Sequence, residues 1–221
     1  MRERTNANCI RRGEWFESLL PRRVAVSYEA AVHNPACPDV RRAYNALIRQ
    51  AVEQYLAIPV RIELTPIDPY TDADEMCERV RLENCLKIYS LAEFPRAHPL
   101  AEMIELRFGW GSMKESSYLP ANCVFRAIHD WYGHIEPSYS FDAEGEECAY
   151  RRHAQMFTGD ALLVLASETR GQNCWAHFGA HLPYAPRSLD EYRALPASRP
   201  YATQKAMILP AWAREVGRNE D

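Results

Sequence analysis

Two histidines five residues apart, in His129-Asp-Trp-Tyr-Gly-His134, are the residues best placed by type to do chemistry. Neutral imidazole is the commonest protein ligand for a transition metal, and two of them need only one carboxylate to make a reactive centre. On a continuous α-helix, five residues turn a side chain through about 140°, too far round for one ion. Gly133 is therefore predicted to adopt the left-handed conformation, end the helix and fold His134 back beside His129. For the carboxylate the sequence offers Glu168, at the end of the apolar run ALLVLASE, where a buried acid needs a cation. Glu146, Glu147 and His153 are rival or additional ligands. Glu146 and His153 share one helical face to within about 20°, and acids following Gly145 are also explained by the dipole of a helix start.

Two imidazoles and one carboxylate on one face of Fe(II) leave positions open for dioxygen and substrate, and zinc could use the same ligands with water as the fourth. Zinc would then need a general base, with Glu147 or Asp130 as candidates. A diiron site lacks its usual Glu-x-x-His signature. Asp130 and Arg170 are the expected catalytic residues: Asp130 can also orient a histidine, and Arg170 can grip a carboxylate or phosphate in bidentate fashion. Arg126, Tyr132, Gln172 and Asn173 are expected to bind substrate, and Trp131, Trp175 and His177 are candidates for an aromatic lining. Cys174 lies three residues from His177, which gives no reason for a thiol–imidazole hydrogen bond.

The segment from His129 to Gly171 resembles the iron-binding core of the pterin-dependent aromatic amino acid hydroxylases. There, a His-Glu-x-x-Gly-His motif supplies two ligands and a later helix supplies a glutamate. The resemblance implies His129 and His134 as the histidines, Asp130 in place of the motif's glutamate, and Glu168 in LASETRG as the later acid. It implies a non-haem iron hydroxylase using dioxygen on a small, amino-acid-like substrate. Pterin is not carried over, because no segment reads as a pterin-binding stretch. A wider set of segments, Pro69-Tyr70, FRAIHDWYGH, GEE, SETRGQN and QKAMILP, is similar to a family of uncharacterised phage and bacterial proteins. A non-catalytic phage or host interaction module, using an Arg-rich first segment, is the alternative outside enzymes.

The elements that must position these residues read as a mainly helical α+β domain. Val40, Tyr44, Leu47, Ile48, Ala51, Val52 and Tyr55 follow the helical period after Pro38-Asp39. Val60, Ile62 and Leu64 alternate as a strand, Thr71 caps a helix over about 72–83, and Leu86 and Ile88 suggest a second strand. Helices are further expected from Pro99 to about Phe108, broken by Gly109 and Gly111, and over roughly 122–132, 143–157, 160–170 and 201–209. Gly133, Gly159 and Gly171 sit where C-terminal caps are expected. Residues 1–38 show no sustained period and read as an arm or short turns, with 39–221 as the catalytic domain.

The chain has 221 residues, 47% hydrophobic and 25% charged, with a formal net charge of −4, which excludes a disordered chain and any basic nucleic-acid footprint. No apolar run reaches the roughly 18 residues of a membrane span, and MRERTNANCIRRGEWF lacks the apolar centre of a secretory leader. The cytoplasm is the expected compartment. The seven cysteines form no CxxC pair and read as reduced, mostly buried thiols. The expected partners are thus a small-molecule substrate and dioxygen, with no nucleic acid and no membrane.

Overall fold

The computed structural model describes residues 9–90, 95, 97–110, 113–196 and 200–216. Residues 1–8 of the expected arm and Gly111 lie outside them. The fold is mainly helical α+β. Where an arm was expected, Glu14–Glu17 (α1) and Leu20–Ala30 (α2) are helices. Pro21 starts α2 at its first turn, and Trp15, Phe16, Val24, Ala25 and Tyr28 are buried. Val24, Ala25 and Tyr28 recur at helical spacing, but Arg22 and Arg23 obscure the stripe in the sequence.

Pro38–Tyr55 (α3) follows its predicted span and buries Val40, Ala43, Tyr44, Leu47, Ala51 and Tyr55. Arg61–Thr65 (β1) and Cys85–Tyr89 (β2) pair in parallel, with Ile62 opposite Leu86 and Leu64 opposite Ile88. Ala73–Glu83 (α4) crosses between them. Its N-cap is Asp72, which accepts from the Glu75 amide at 2.8 Å, while Thr71 donates to the Glu75 carboxylate; the predicted cap lies one residue early.

The helix expected from Pro99 is instead a short 3₁₀ turn, Pro99–Ala101, followed by Met103–Trp110 (β3) and Met113–Pro120 (β4), paired as an antiparallel hairpin. Ile104 and Leu106 alternate with Glu105 and Arg107, a period of two that favours a strand over a helix. Ala121–Ile128 (α5) and Ala143–Met156 (α6) carry the candidate ligands, followed by Ala161–Ala166 (α7) and Gln172–Phe178 (α8). Leu189–Ala194 (α9) and Ala211–Arg214 (α10) complete the described helices. The helix expected over 201–209 is irregular chain. Its backbone is held by other elements: the Ala206 amide donates to His33 Nδ1 at 3.0 Å, Ala206 O accepts from the Asn34 amide, Thr203 O from the Tyr28 hydroxyl, and Met207 O from the Ser167 hydroxyl. These tertiary bonds replace the intrahelical ones.

The core lies where α3 packs on α5 and α7, and where α2 packs on α8. Cys9 and Cys148 form a disulfide, contrary to the expectation that all seven thiols stay reduced. Cys37, Cys77, Cys85, Cys123 and Cys174 are not disulfide-bonded. No helix among the described residues is long and apolar enough to cross a membrane.

Candidate metal centre

Between α5 and α6 the helix does not end at Gly133. It widens into a π-helix over His129–Ile135, in which the Glu136 amide reaches back five residues to Trp131 O at 2.9 Å. Gly133 is absent from the residues with positive φ, so the predicted left-handed hinge is not there. In a π turn, residues five apart become neighbours along the axis, which is the spacing of His129 and His134. The glycine is needed for a different reason. A Cβ there would lie 3.0 Å from Ala149 Cβ, 3.3 Å from His153 Nε2 and 3.6 Å from His129 Nδ1, so its absence lets α6 approach. Gly171 likewise caps nothing: it lies in a second π-helix, Ser167–Gly171, that runs on into α8. Gly159 does take positive φ, at 59°.

His129 Nε2 and His134 Nε2 are 3.1 Å apart. Glu146 in the first turn of α6 completes the group, with Oε2 at 3.2 Å from His129 Nε2 and Oε1 at 3.5 Å from His134 Nε2. Three ligands each ~2.1 Å from one ion, on adjacent octahedral or tetrahedral positions, are ~3.0–3.4 Å apart, and the two nitrogens stand close to that spacing from each other and from the nearest Glu146 oxygens, one to each ring. His129, His134 and Glu146 can therefore hold a metal ion. Two local features aim Glu146. Asp142 caps the helix by accepting from the Glu144 and Gly145 amides, and Gly145 lets Ser140 fold against the first turn, since a Cβ there would lie 2.0 Å from Ser140 O.

Burial alone would raise the Glu146 carboxyl, but the two imidazoles outweigh it and hold it at about 2. Burial takes His134 down to about 4, although Glu146 pulls the other way. Burial also lowers His129, yet its hydrogen bond and charge contact with Glu146 leave it raised. His134 Nδ1 donates to Tyr139 O at 3.3 Å, which fixes the tautomer and turns the Nε2 lone pair to the site.

The expected carboxylate ligand, Glu168, is elsewhere. It takes the Tyr44 hydroxyl on Oε1 and Gln172 Nε2 on Oε2 at 2.9 Å, with His98 Nε2 at 3.5 Å from Oε1. The correction has a simple cause: neutral donors satisfy this buried acid, so it needs no cation. Glu147 is not a ligand either. It is fully buried in an ion pair with Arg170, which donates to Glu147 Oε2 at 2.8 Å and Oε1 at 2.5 Å, and Arg151 adds a third bond. Arg170, expected to be catalytic, does not line the cavity over the triad; it also lies 4.1 Å from the Tyr150 ring centroid and donates to Ala213 O and Glu215 O. His153 stacks on His129 with centroids 5.3 Å apart but stands outside the ligand group.

A cavity of about 800 Å³ opens over the triad. Asp130, Arg126, Gln172 and Asn173 line it, and so does His177. Tyr132 does not: its hydroxyl donates to Gln54 O at 3.2 Å. Burial raises the Asp130 carboxyl to about 6 despite the nearby Arg126. Asn122, Tyr201 and Gln204 are wall residues that sequence reasoning missed. Only QKAMILP pointed at Gln204, and nothing in pattern or period pointed at Asn122. No family model, curated protein or solved structure matches the chain.

Proposed function

We propose that the chain is a mononuclear non-haem iron enzyme that uses dioxygen to oxidise a small polar molecule bound in the cavity over His129, His134 and Glu146. The observation that carries this reading is the ligand set itself: two imidazole nitrogens and one carboxylate, 3.1–3.5 Å apart, bordering a cavity of about 800 Å³. That donor set, with its remaining positions facing a cavity, suits Fe(II) among the first-row metals. Iron, when bound, supplies the redox chemistry with dioxygen. The protein holds Glu146 and His134 in their basic forms, and Phe141, edge-on to His134 with centroids 4.8 Å apart, keeps one flank of the site apolar. Asp130, close to neutral-range titration in the cavity wall, is the group to take or return a substrate proton. Arg126 bears on the same space and can hold a polar substrate group.

Asp130 also favours a second reading, a zinc hydrolase in which it serves as general base to a metal-activated water. One experiment separates the two. Protein purified without chelator is assayed for metal, then stripped and titrated anaerobically with Fe(II) and with Zn(II). The iron reading expects one equivalent of Fe(II), an EPR signal with nitric oxide, and oxygen uptake on exposure to air. Stoichiometric zinc with no response to nitric oxide after Fe(II) loading supports the hydrolase, and no metal uptake removes both.

A further inference from the structure

Most charged groups of the cavity wall already have partners. Lys87 Nζ lies 2.8 Å from Glu83 Oε2, and Asp68 Oδ2 accepts from the Tyr201 hydroxyl at 2.8 Å. Glu168 takes the Tyr44 hydroxyl and Gln172, and Glu146 faces the two imidazoles. Arg126 differs. It is half-buried, it lines the cavity, and no carboxylate among the described residues forms an ion pair with it. Arg151 and Arg170, by contrast, are tied to Glu147, and Arg152 to Glu136. The Arg126 guanidinium carbon lies 5.4 Å over the centroid of the Tyr89 ring, with the Tyr201 hydroxyl and Asp130 as neighbours. Stacking uses the face of a guanidinium. Its N–H groups lie in the plane, and they stay available to grip an oxyanion.

The cavity is also rich in rings. Tyr70, Tyr89, Phe125, Phe141 and Tyr201 line it, and Tyr201 is 67% exposed, which leaves a ring face open for a flat molecule to lie on. Arg126 stands one turn before His129, so a molecule held by it can extend toward the triad. A divalent ion there outweighs Glu146 while Arg126 offsets Asp130, which makes this end of the cavity positive. We propose that the cavity binds a ring compound carrying an oxyanion, a carboxylate or a phosphate, with the oxyanion gripped by Arg126 and the ring against the aromatic wall. This deepens the proposed function by naming its substrate class, and it rests on that reading only for the chemistry at the metal. Arg126 holds the oxyanion with or without the ion.

The test is calorimetry on the full chain, metal-free and with Fe(II) under anaerobic conditions, using matched probes. Benzoate is set against benzamide, phenyl phosphate against phenol, and adenosine monophosphate against adenosine, which separates carboxylates, simple phosphates and nucleotides as sources. Acetate and inorganic phosphate supply the oxyanion without a ring. At least one charged ring compound is expected to bind tenfold or more tightly than both its neutral counterpart and its ringless anion. Arg126→Gln should remove the preference over the neutral counterpart. Arg126→Lys keeps the charge without the planar fork and should lower that preference threefold or more, so it decides the matter if thermal unfolding shows that Arg126→Gln does not fold. Both variants should keep the parent's metal stoichiometry. Equal or tighter binding of the neutral rings, ringless anions binding as tightly as the charged rings, or full preference in either variant overturns the proposal. Preference for charged rings in protein that takes up no metal would sustain this inference and remove the iron reading. Metal uptake without that preference would do the reverse.

Discussion

At the scale of single residues, the site turns on which of four acids meets the two histidines. Glu144, Glu146 and Glu147 are nearly consecutive, yet Glu144 accepts from the Gly13 amide at 2.7 Å, Glu147 binds Arg170, and Glu146 alone joins the imidazoles. Glu146→Gln should therefore weaken metal binding by a hundredfold or more, whereas Glu168→Gln should stay within a fewfold of the parent, both read by competition with a chromophoric chelator. Asp130 gives a prediction with a sign. Its folded pKa of about 6 lies above the ordinary aspartate value of 3.8, so its contribution to stability is fully present below about pH 4 and is lost as pH rises through 6. Metal-free Asp130→Asn should consequently be more stable than the parent at pH 7–8, by up to about 3 kcal/mol. That advantage should vanish below about pH 4. Urea titrations across pH that show a constant difference would contradict this origin of the shift.

At the scale of elements, both segments singled out in the sequence, HDWYGH and SETRG, are π-helical, and that explains what could and could not be read beforehand. The histidine pair was legible because residue type and spacing mark it. Its geometry was not, because a 3.6-residue period assumes an α-helix and a left-handed glycine was the only local device that could rejoin the rings. A π turn is set by packing between elements, here Gly133 against Ala149 of α6, and leaves no periodic trace. The same limit explains Glu168: an acid in an apolar helix signals a partner, but not that the partners are Tyr44, 124 residues earlier, and Gln172. α3 and the parallel pair were legible because their apolar residues repeat along one stretch of chain. Gly133→Ala should push Ala149 and His153 by a few tenths of an ångström, cost about 1–2 kcal/mol and lower metal affinity. Ala149→Gly in the same chain should recover the affinity, even though glycine costs α6 about 1 kcal/mol of helix propensity. Failure of that rescue, measured by the same chelator competition, would show that the close approach is not what Gly133 provides.

At the scale of the whole molecule, Arg170 ties α6 to the carbonyls of Ala213 and Glu215, so the late chain and the ligand-bearing helix share one buried cation. Arg170→Met should cost about 3–5 kcal/mol, because Glu147 keeps only Arg151. Replacing Glu147 by Leu in the same chain should restore much of that loss, since the uncompensated charge is then gone. Thermal unfolding of the single and double variants checks both, and the metal stoichiometry of the folded protein should not change. An Arg170→Met variant as stable as the parent would mean that the pair is dispensable.

The bond between Cys9 and Cys148, residues 139 apart in sequence, closes the backbone into a covalent ring. His129, His134 and Glu146 all lie on that ring, while α7 to α10 hang from it as a tail. A protease that cuts the β3–β4 hairpin therefore opens a loop without releasing a fragment. The nicked molecule should keep its full mass on a non-reducing gel and separate into two pieces only after thiol treatment, with all three ligands on the later piece.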